Sequence, residues 1–334
     1  MQNEIKQECD VLGNSGVVRT PGWCREPLFY FDKALCKNRF SLTETDSYLI
    51  ENKDVSIYLS VAEKGIVAEV CALIIDHNTG SMDYRTLKNY MSFGRLSMPQ
   101  SSKNGDVTFN SGRVGMNFSN TALNRYIRCE FVNFYKDKNL YINLELQENS
   151  GESLNVLIPE SPVGKGFFLK RFLPSMRVSG VVRLGGAEYK FTPDSSRAYL
   201  DWQRFSLLGK ACYHALYADT DIDGHDFSLC LAGGVGDVSM GTENCYFLDG
   251  EIHKLASVKA VGSEERPDKP WKFTAGNSAL DLQFRPTMKA GHLLSKKCGG
   301  KTFIFGKLFG TIQQMNTGRI VLDAVPAHLE FSII

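Results

Sequence analysis

Short runs of alternating apolar and polar residues, separated by turn signals, recur along the whole chain and constrain its fold most strongly. The run YINLEL at 141–146 is typical, because its leucines and isoleucine occupy every second position. Such alternation gives a strand one apolar and one polar face. The runs are separated by turn signals: NKD at 52–54, NTG at 78–80 and 316–318, and KDKN at 136–139. The pattern predicts an all-β protein built from sandwiches or barrels.

The pair Asp249–Gly250 is the strongest local turn signal, because a type I′ hairpin turn needs a positive φ at both central residues. With a two-residue turn, Tyr246 pairs with His253, and their side chains share one face of the hairpin. Glu243 lies on the other face, so it cannot contact His253 directly unless a bulge intervenes. Glu243 could instead form an ion pair across the hairpin with Lys254.

The chain has 334 residues, which is comfortable for two domains. The stretch 158–176 carries three prolines and two glycines and reads as a connection between them. We therefore expect one domain at 1–165 and a second at 166–334. One helix candidate stands out, PDSSRAYLDWQRF at 193–205, with Asp194 or Ser195 as its N-cap.

Composition narrows the class of partner and the compartment. The 38 basic and 37 acidic residues leave a net charge of +1 and no long block of one sign, which disfavours nucleic acid. The most apolar run, at 66–75, is too short to span a bilayer. The N-terminal segment lacks the apolar stretch of a secretory signal. The nine cysteines form no C-x-x-C pair, and we expect all of them to be reduced. These features predict a soluble, cytoplasmic protein.

Motifs for metals and organic cofactors are missing from the sequence. The six histidines are scattered, with no H-x-x-x-H spacing. The acidic run DTDIDGHD at 219–226 starts like a calcium loop, but Cys230 or Ala232 stands where that loop needs a glutamate. The run GGVGD at 233–237 has neither the dinucleotide spacing nor a following G-K-[ST]. We therefore expect no metal and no cofactor.

Several motifs together are similar to the domain-of-unknown-function 2804 family. They are GWCREPL at 22–28, LSMPQSSKNGD at 96–106, DWQR at 201–204, GGVGDVSMGTENCYFLDGEIHKL at 233–255 and FGTI at 309–312. The family resembles, more distantly, the carotenoid hydratases and the fungal decalin-forming cyclases. That resemblance implies two lipocalin-like antiparallel barrels packed side by side. It also implies action on apolar polyenes without an organic cofactor.

The chain departs from the family pattern at DWQR. Gln203 and Phe205 stand where the family usually has glycines. Tyr213 and His214 stand where a tryptophan pair often follows. Bulkier and differently polar side chains at these positions imply a reshaped pocket.

Three functions stay open at this stage. The first is binding of an apolar or lipid-like small molecule in a barrel or inter-barrel pocket. The second is a cofactor-independent hydratase, cyclase or isomerase in which a desolvated carboxylic acid is the general acid. The third is a carbohydrate-active or carbohydrate-binding protein, which would place two carboxylates about 5–9 Å apart across a groove.

The same motifs supply the candidate site residues. The catalytic candidates are Asp201, Glu243 and His253, and the ligand-binding candidates are Trp23, Arg25, Trp202, Arg204, Asn244 and Tyr246. A structural interpretation competes with this one. In it, Trp202 packs in a core and Asp201 pairs with Arg204, while His253 is a hydrogen-bonded edge histidine.

Overall fold

The computed structural model describes residues 2–121, 123–148, 151–162, 164–263, 265–266, 268–276, 279–287, 298–314 and 318–334. Within these ranges the chain forms 24 strands and a single short 3-10 helix, Lys33–Leu35. The predicted all-β class is therefore confirmed. No helix in the described part of the chain is long and apolar enough to cross a membrane.

The first large sheet contains thirteen strands and runs in the order β7-β6-β5-β4-β15-β13-β11-β10-β9-β8, with β2, β12 and β14 off this path. Its strands are β2 (Gly22–Cys24), β4 (Leu42–Glu51), β5 (Val55–Lys64), β6 (Val67–Asp76), β7 (Met82–Tyr90), β8 (Val107–Asn110), β9 (Val114–Asn120), β10 (Asn124–Tyr135), β11 (Lys138–Gln147), β12 (Leu154–Pro159), β13 (Phe167–Leu184), β14 (Ala187–Phe191) and β15 (Arg197–Ser206). A separate parallel pair is formed by β1 (Cys9–Asp10) and β3 (Phe29–Tyr30).

The second sheet has nine strands in the order β19-β18-β17-β16-β24-β23-β22-β21-β20. Its strands are β16 (Cys212–Ile222), β17 (His225–Gly233), β18 (Cys245–Leu248), β19 (Glu251–Lys254), β20 (Val258–Val261), β21 (Trp271–Ala275), β22 (Leu280–Pro286), β23 (Lys301–Gln314) and β24 (Gly318–Ile333). Both large sheets are antiparallel and curled, as in the lipocalin-like folds that the sequence motifs resemble.

Three apolar layers hold the two sheets. One lies inside the curl of the first sheet, one inside the curl of the second, and the third lies between the sheets. The central strands β4, β5 and β15 contribute to two layers at once, so they are buried on both faces. Strand β11 covers only one layer, and its alternating burial confirms the predicted pattern at 141–146.

The predicted helix at 193–205 is wrong. Residues 197–206 form β15, which pairs with β13 on one side and with β4 on the other. A strand that is buried on both faces loses the alternation that identifies a strand, so its sequence is easily read as a helix. The expected N-cap residue Ser195 instead lies in a turn, where its N–H donates to the Thr192 carbonyl oxygen.

The first sheet extends through Ser206, and the second begins at Cys212. The predicted division after residue 165 therefore falls inside the first sheet, between β12 and β13. The motif DWQR accordingly belongs to the first sheet, while the hairpin motif belongs to the second. The division into two domains stays a prediction, and the strand pairing favours a boundary at 207–211.

The hairpin at Asp249–Gly250 is confirmed. The two residues have φ values of 49° and 84°, and Tyr246 pairs with His253 in the expected register. Of the other turn signals, KDKN joins β10 to β11, whereas residues 316–317 lie outside the described residues.

The prediction that every cysteine is reduced is wrong for one pair. Cys71 on β6 and Cys298 just before β23 form a disulfide, with their Cα atoms 6.0 Å apart. The other seven cysteines are free. The partners are 227 residues apart, so no local spacing in the sequence could indicate the bond.

Candidate functional site

Five charged side chains are buried in the layer between the sheets. The first sheet contributes Lys170 from β13 and Asp201 from β15, and the second contributes Glu243, Lys301 and Glu330. None of them is more than 8% exposed. The burial of so many charges requires that each finds a partner of opposite sign, because an unpaired ion in such a layer is very costly.

Lys170 is the most enclosed of these groups. Its ammonium donates to Glu243 Oε1 at 2.9 Å, to the Tyr213 hydroxyl at 2.9 Å and to the Tyr217 hydroxyl at 2.7 Å, and it lies 3.6 Å from Asp201 Oδ1. Burial alone would lower the pKa of Lys170, but Asp201 and Glu243 outweigh it and raise the pKa well above its ordinary value. Lys170 is therefore a permanent cation.

Lys301 forms the second centre of the network. Its ammonium donates to Glu330 Oε2 at 2.9 Å and to Asp201 Oδ2 at 3.3 Å, and Asp201 Oδ2 also accepts from Gln203 Nε2 at 2.7 Å. Burial alone would lower the pKa of Lys301. The negative charge of Glu330 outweighs this effect, so the pKa of Lys301 lies above its ordinary value. Burial alone would raise the pKa of Glu330, but the positive charge of Lys301 and the contact with His328 lower that pKa to about 2.

The two lysines are paired reciprocally across the layer. Lys170 of the first sheet binds Glu243 of the second, and Lys301 of the second sheet binds Asp201 of the first. Asp201 lies within 4 Å of both ammonium groups and so connects the two pairs. The network thus links the sheets at two points.

His328 on β24 extends the network away from Lys301. Its Nε2 is 2.7 Å from the Tyr199 hydroxyl and 3.6 Å from Glu330 Oε1. The imidazole stacks on the Tyr199 and Phe305 rings, with centroids 5.7 and 5.4 Å away. Burial raises the pKa of Tyr199 well above its ordinary value, so its hydroxyl keeps its proton.

A pocket of about 340 Å³ opens beside the Lys301 end of this network, between the two sheets. Its walls include Tyr58, Gln203, Phe205, Leu207, Lys301 and Ser332. The ammonium of Lys301 has three donors, and the carboxylates described above accept two of them. The third donor and the amide oxygen of Gln203 can bind a polar group of a molecule in the pocket.

Asp201 and Glu243 are brought together, but His253 is not. Lys170 bridges the two carboxylates, as described above. His253 stacks on Tyr246 with ring centroids 4.7 Å apart, on the face of the hairpin that covers the second sheet's own core. The prediction that Glu243 and His253 lie on opposite faces agrees with this geometry.

The motif DWQR is divided between two layers. Alternation along β15 turns Asp201 and Gln203 toward the second sheet, and Trp202 and Arg204 into the first sheet's interior. The Arg204 guanidinium lies 4.1 Å from the Trp202 ring centroid and donates to Asp46 Oδ1 at 2.9 Å. The expected Asp201–Arg204 pair is therefore wrong, whereas Trp202 does pack in a core.

Three further candidates lie outside the network, and two of them, Trp23 and Arg25, connect the N-terminal segment to the hairpin. Trp23 lies between two cations, with Arg25 and Lys254 5.4 and 5.3 Å from its ring. Arg25 also pairs with Glu152 at 2.7 Å. Asn244 accepts a hydrogen bond from the N–H of residue 232. None of these contacts reaches the pocket described above.

Glu243 does not form the ion pair with Lys254 that the hairpin register suggested. Lys254 donates to the Thr242 carbonyl oxygen, and Glu243 binds Lys170 instead. Burial lowers the pKa of Lys254 to about 8.

The acidic run at 219–226 is neutralised by arginine. Arg197 binds Asp219, Asp221 and Asp226, at 3.4, 2.5 and 2.5 Å. Burial raises the pKa of Asp219 to about 6, against the opposing effect of Arg197. Among the described residues, which leave out His292, no group of three or more His, Cys, Asp or Glu side chains is arranged to hold a metal.

Sequence reasoning missed the two lysines and their partners on β24. Lys170 interrupts the apolar run FFLKRFL at 167–173, and His328 and Glu330 interrupt AHLEFSII at 327–334. A charged residue inside a run that otherwise reads as a doubly buried strand is the signal that could have found them.

The chain is similar to one protein family and to several solved structures. The sequence profile of a family described as a domain of unknown function, DUF2804, matches residues 2–331. No curated protein matches the sequence. A crystal structure assigned as AttH from Nitrosomonas europaea superposes with a TM-score of 0.54 at 13% identity, covering 88% of this chain and 93% of that one. Kievitone hydratase from Nectria haematococca gives a TM-score of 0.50 at 12% identity, covering 89% and 90%. These likenesses establish a shared fold.

Proposed function

This chain belongs to the DUF2804 family, and from its inter-sheet pocket we propose that it binds a small, largely apolar molecule carrying one polar group. The observation that carries the proposal is the position of Lys301. This cation is held by two carboxylates and lines a pocket whose walls also carry the apolar side chains of Phe205 and Leu207.

The size of the pocket suits a small ligand. Its volume of about 340 Å³ falls within the range of about 300–1,000 Å³ found for small-molecule sites. Phe205, Leu207 and Ile333 supply apolar surface on its walls. Burial of an apolar ligand body against that surface supplies the driving force for binding.

Lys301 and Gln203 limit which polar group a ligand of this pocket can carry. Lys301 offers a charged N–H donor, and Gln203 offers an amide oxygen. A carbonyl or a carboxylate can accept from Lys301, and a hydroxyl can also donate to Gln203. These groups favour a ligand with an oxygen-bearing end, and the apolar side chains on the walls favour an apolar body.

A second candidate function is proton transfer to the bound molecule without an organic cofactor. The observation that favours it is the chain of titratable groups that runs from Lys301 through Glu330 to His328 and Tyr199. In this version Lys301 polarises the oxygen-bearing end, and Glu330 and Asp201 are the carboxylates beside Lys301. The kievitone hydratase likeness is compatible with such chemistry, but a fold hosts many functions.

The proposed compartment is the cytoplasm. Seven of the nine cysteines are free, and Cys230 and Cys245 remain free although they are paired residues on neighbouring strands. Adjacent free thiols are typical of a reducing compartment.

The test uses two fluorescent polyenes: parinaric acid, which ends in a carboxylate, and retinol, which ends in a hydroxyl. We expect at least one to bind with a Kd of about 10 μM or below. Ser332→Trp fills the pocket and should weaken binding about tenfold or more. Val321→Trp is the matched control, because Val321 lies on the same strand but is exposed and outside the pocket.

The outcomes separate the candidate functions. Binding that is lost only in Ser332→Trp supports the pocket. Mass spectrometry of the recovered ligand then distinguishes an unchanged molecule from a hydrated or isomerised one, which would favour proton transfer. Failure of both polyenes to bind, or equal loss in both tryptophan variants, contradicts the proposal.

A further inference from the structure

The disulfide lies beside the proposed pocket. Cys71 belongs to β6 of the first sheet, and Cys298 directly precedes Gly299, Gly300 and Lys301, all three of which line the pocket. The bond is therefore a covalent connection between the two sheets, immediately beside the residue that makes the pocket's polar end.

A tight turn transmits the position of Cys298 to Lys301. The N–H of each residue donates to the carbonyl oxygen of the other, at 3.0 and 2.9 Å. Gly299 and Gly300 have φ values of 61° and 84°, as a type I′ turn requires. With only two residues between them, Lys301 cannot move far while Cys298 is held.

Among the described residues, two hydrogen bonds of Gly299 and the Lys301–Asp201 ion pair also hold this turn to the first sheet. Lys64 donates to the Gly299 carbonyl oxygen at 3.1 Å, and the Gly299 N–H donates to Thr86 Oγ1 at 3.4 Å. Both are partly buried hydrogen bonds, and each contributes only modestly to stability. The disulfide is thus the strongest connection at this point.

The state of the other cysteines indicates that this disulfide is reversible and not a permanent structural bond. A protein whose remaining seven thiols are free is typical of a reducing compartment, as proposed above. Disulfides that form in such a compartment are usually transient and respond to redox conditions. Cys298 of this disulfide also directly precedes residues that line the pocket, whereas Cys230 lies 4.0 Å from the Lys170 ammonium.

We propose that the Cys71–Cys298 disulfide is a redox latch that holds Lys301 in place and so keeps the pocket able to bind its ligand. This inference rests on the proposed function of the pocket. A dithiol reductant opens the latch by giving two electrons and two protons, so that the S–S bond breaks, two cysteine thiols form and the reductant becomes a disulfide. Oxidation by a disulfide reverses the step.

Access to the sulfur atoms is through local opening. Cys71 and Cys298 are 0% and 2% exposed, so a reductant reaches them only when the turn moves away from the first sheet. A ligand in the pocket contacts that turn and opposes its movement. Ligand binding should therefore shift the equilibrium toward the disulfide, and reduction should weaken ligand binding by the same factor, by linkage.

The experiment compares oxidised protein, protein reduced with dithiothreitol, and the variant C71A/C298A. Two quantities are measured in each form: the Kd of parinaric acid, and hydrogen exchange of the backbone amides at 299–305. The reduced protein and the variant should bind about tenfold more weakly than the oxidised protein. Their amides should exchange about tenfold faster. Cys212→Ser, which removes an exposed free cysteine, is the matched control and should behave like wild type.

Each outcome bears on one proposal or the other. Slower exchange and tighter binding in the oxidised form support the latch. Equal exchange in oxidised, reduced and variant proteins overturns it, whatever the probe does. Faster exchange after reduction, with no parinaric acid bound in any form and no retinol bound to the oxidised protein, contradicts the proposed binding function and leaves only a redox-dependent turn. Because reduced wild type and the variant test the same bond, misfolding of the variant alone does not decide the result.

Discussion

The layer between the sheets and the core of the second sheet are equally buried but chemically opposite. The second core is built from side chains such as Leu229, Leu282 and Phe284, none of which needs a specific partner. The inter-sheet layer carries Lys170 and Lys301, each paired with a carboxylate of the other sheet. An apolar core tolerates repacking, whereas buried ions are satisfied in one arrangement only. We expect the ions to specify how the sheets meet, and the apolar core to supply stability.

The largest effect should follow from removing one ion of a reciprocal pair. Lys170→Met leaves Glu243 buried without its cation, and we expect the free energy of unfolding to fall by about 3–5 kcal/mol. Chemical denaturation of the variant and of the wild type measures this difference in the free energy of unfolding. The double variant Lys170→Met/Glu243→Gln should lose less than the two single variants together, because it leaves no uncompensated charge of this pair.

A core variant sharpens that comparison. Leu282→Ala should cost about 2–5 kcal/mol through the cavity it leaves, and it should add to Lys170→Met. Additive losses within the Lys170–Glu243 cycle, or strong coupling between Leu282 and Lys170, would contradict the distinction between the two regions.

A smaller effect should appear as pH dependence at Asp219. Its pKa of about 6 in the folded protein exceeds the unfolded value of 3.8, so the folded state binds the proton more tightly. This group's contribution to stability is therefore largest below about pH 4 and declines as the pH rises toward 6, by about 2–3 kcal/mol in all. Asp219→Asn should remove that decline, measured as the difference between variant and wild-type unfolding free energies across this range. A difference that does not change with pH would show that Asp219 does not titrate there.

The smallest effect should come from an exposed ion pair on the second sheet. Lys272 and Asp281 lie 3.2 Å apart across β21 and β22, and their side chains are 57% and 59% exposed. Lys272→Ala should change the unfolding free energy by about 0.5 kcal/mol or less, because water screens the pair. A loss as large as that of Lys170→Met would mean that burial does not explain the difference between the two pairs.

The local features of the fold were readable from particular residues. Alternation predicted β11, and Asp249–Gly250 predicted the hairpin and its register, because both depend only on neighbours in the chain. Gln203 and Phe205, where the chain departs from the family pattern, both line the pocket, and the reshaping that they imply stays a prediction. In contrast, β15 was read as a helix, since burial on both of its faces depends on two other parts of the molecule.

The sequence by itself therefore determined the class of fold, the hairpin and which side chains of a strand share a face, because these follow from backbone geometry over a few residues. Only the tertiary structure decided which faces meet. It brought Lys170 to Glu243 and Asp201 to Lys301, and it joined Cys71 to Cys298 across 227 residues. Charges and thiols that are far apart in sequence find partners through the packing of the sheets, and no local pattern encodes that choice.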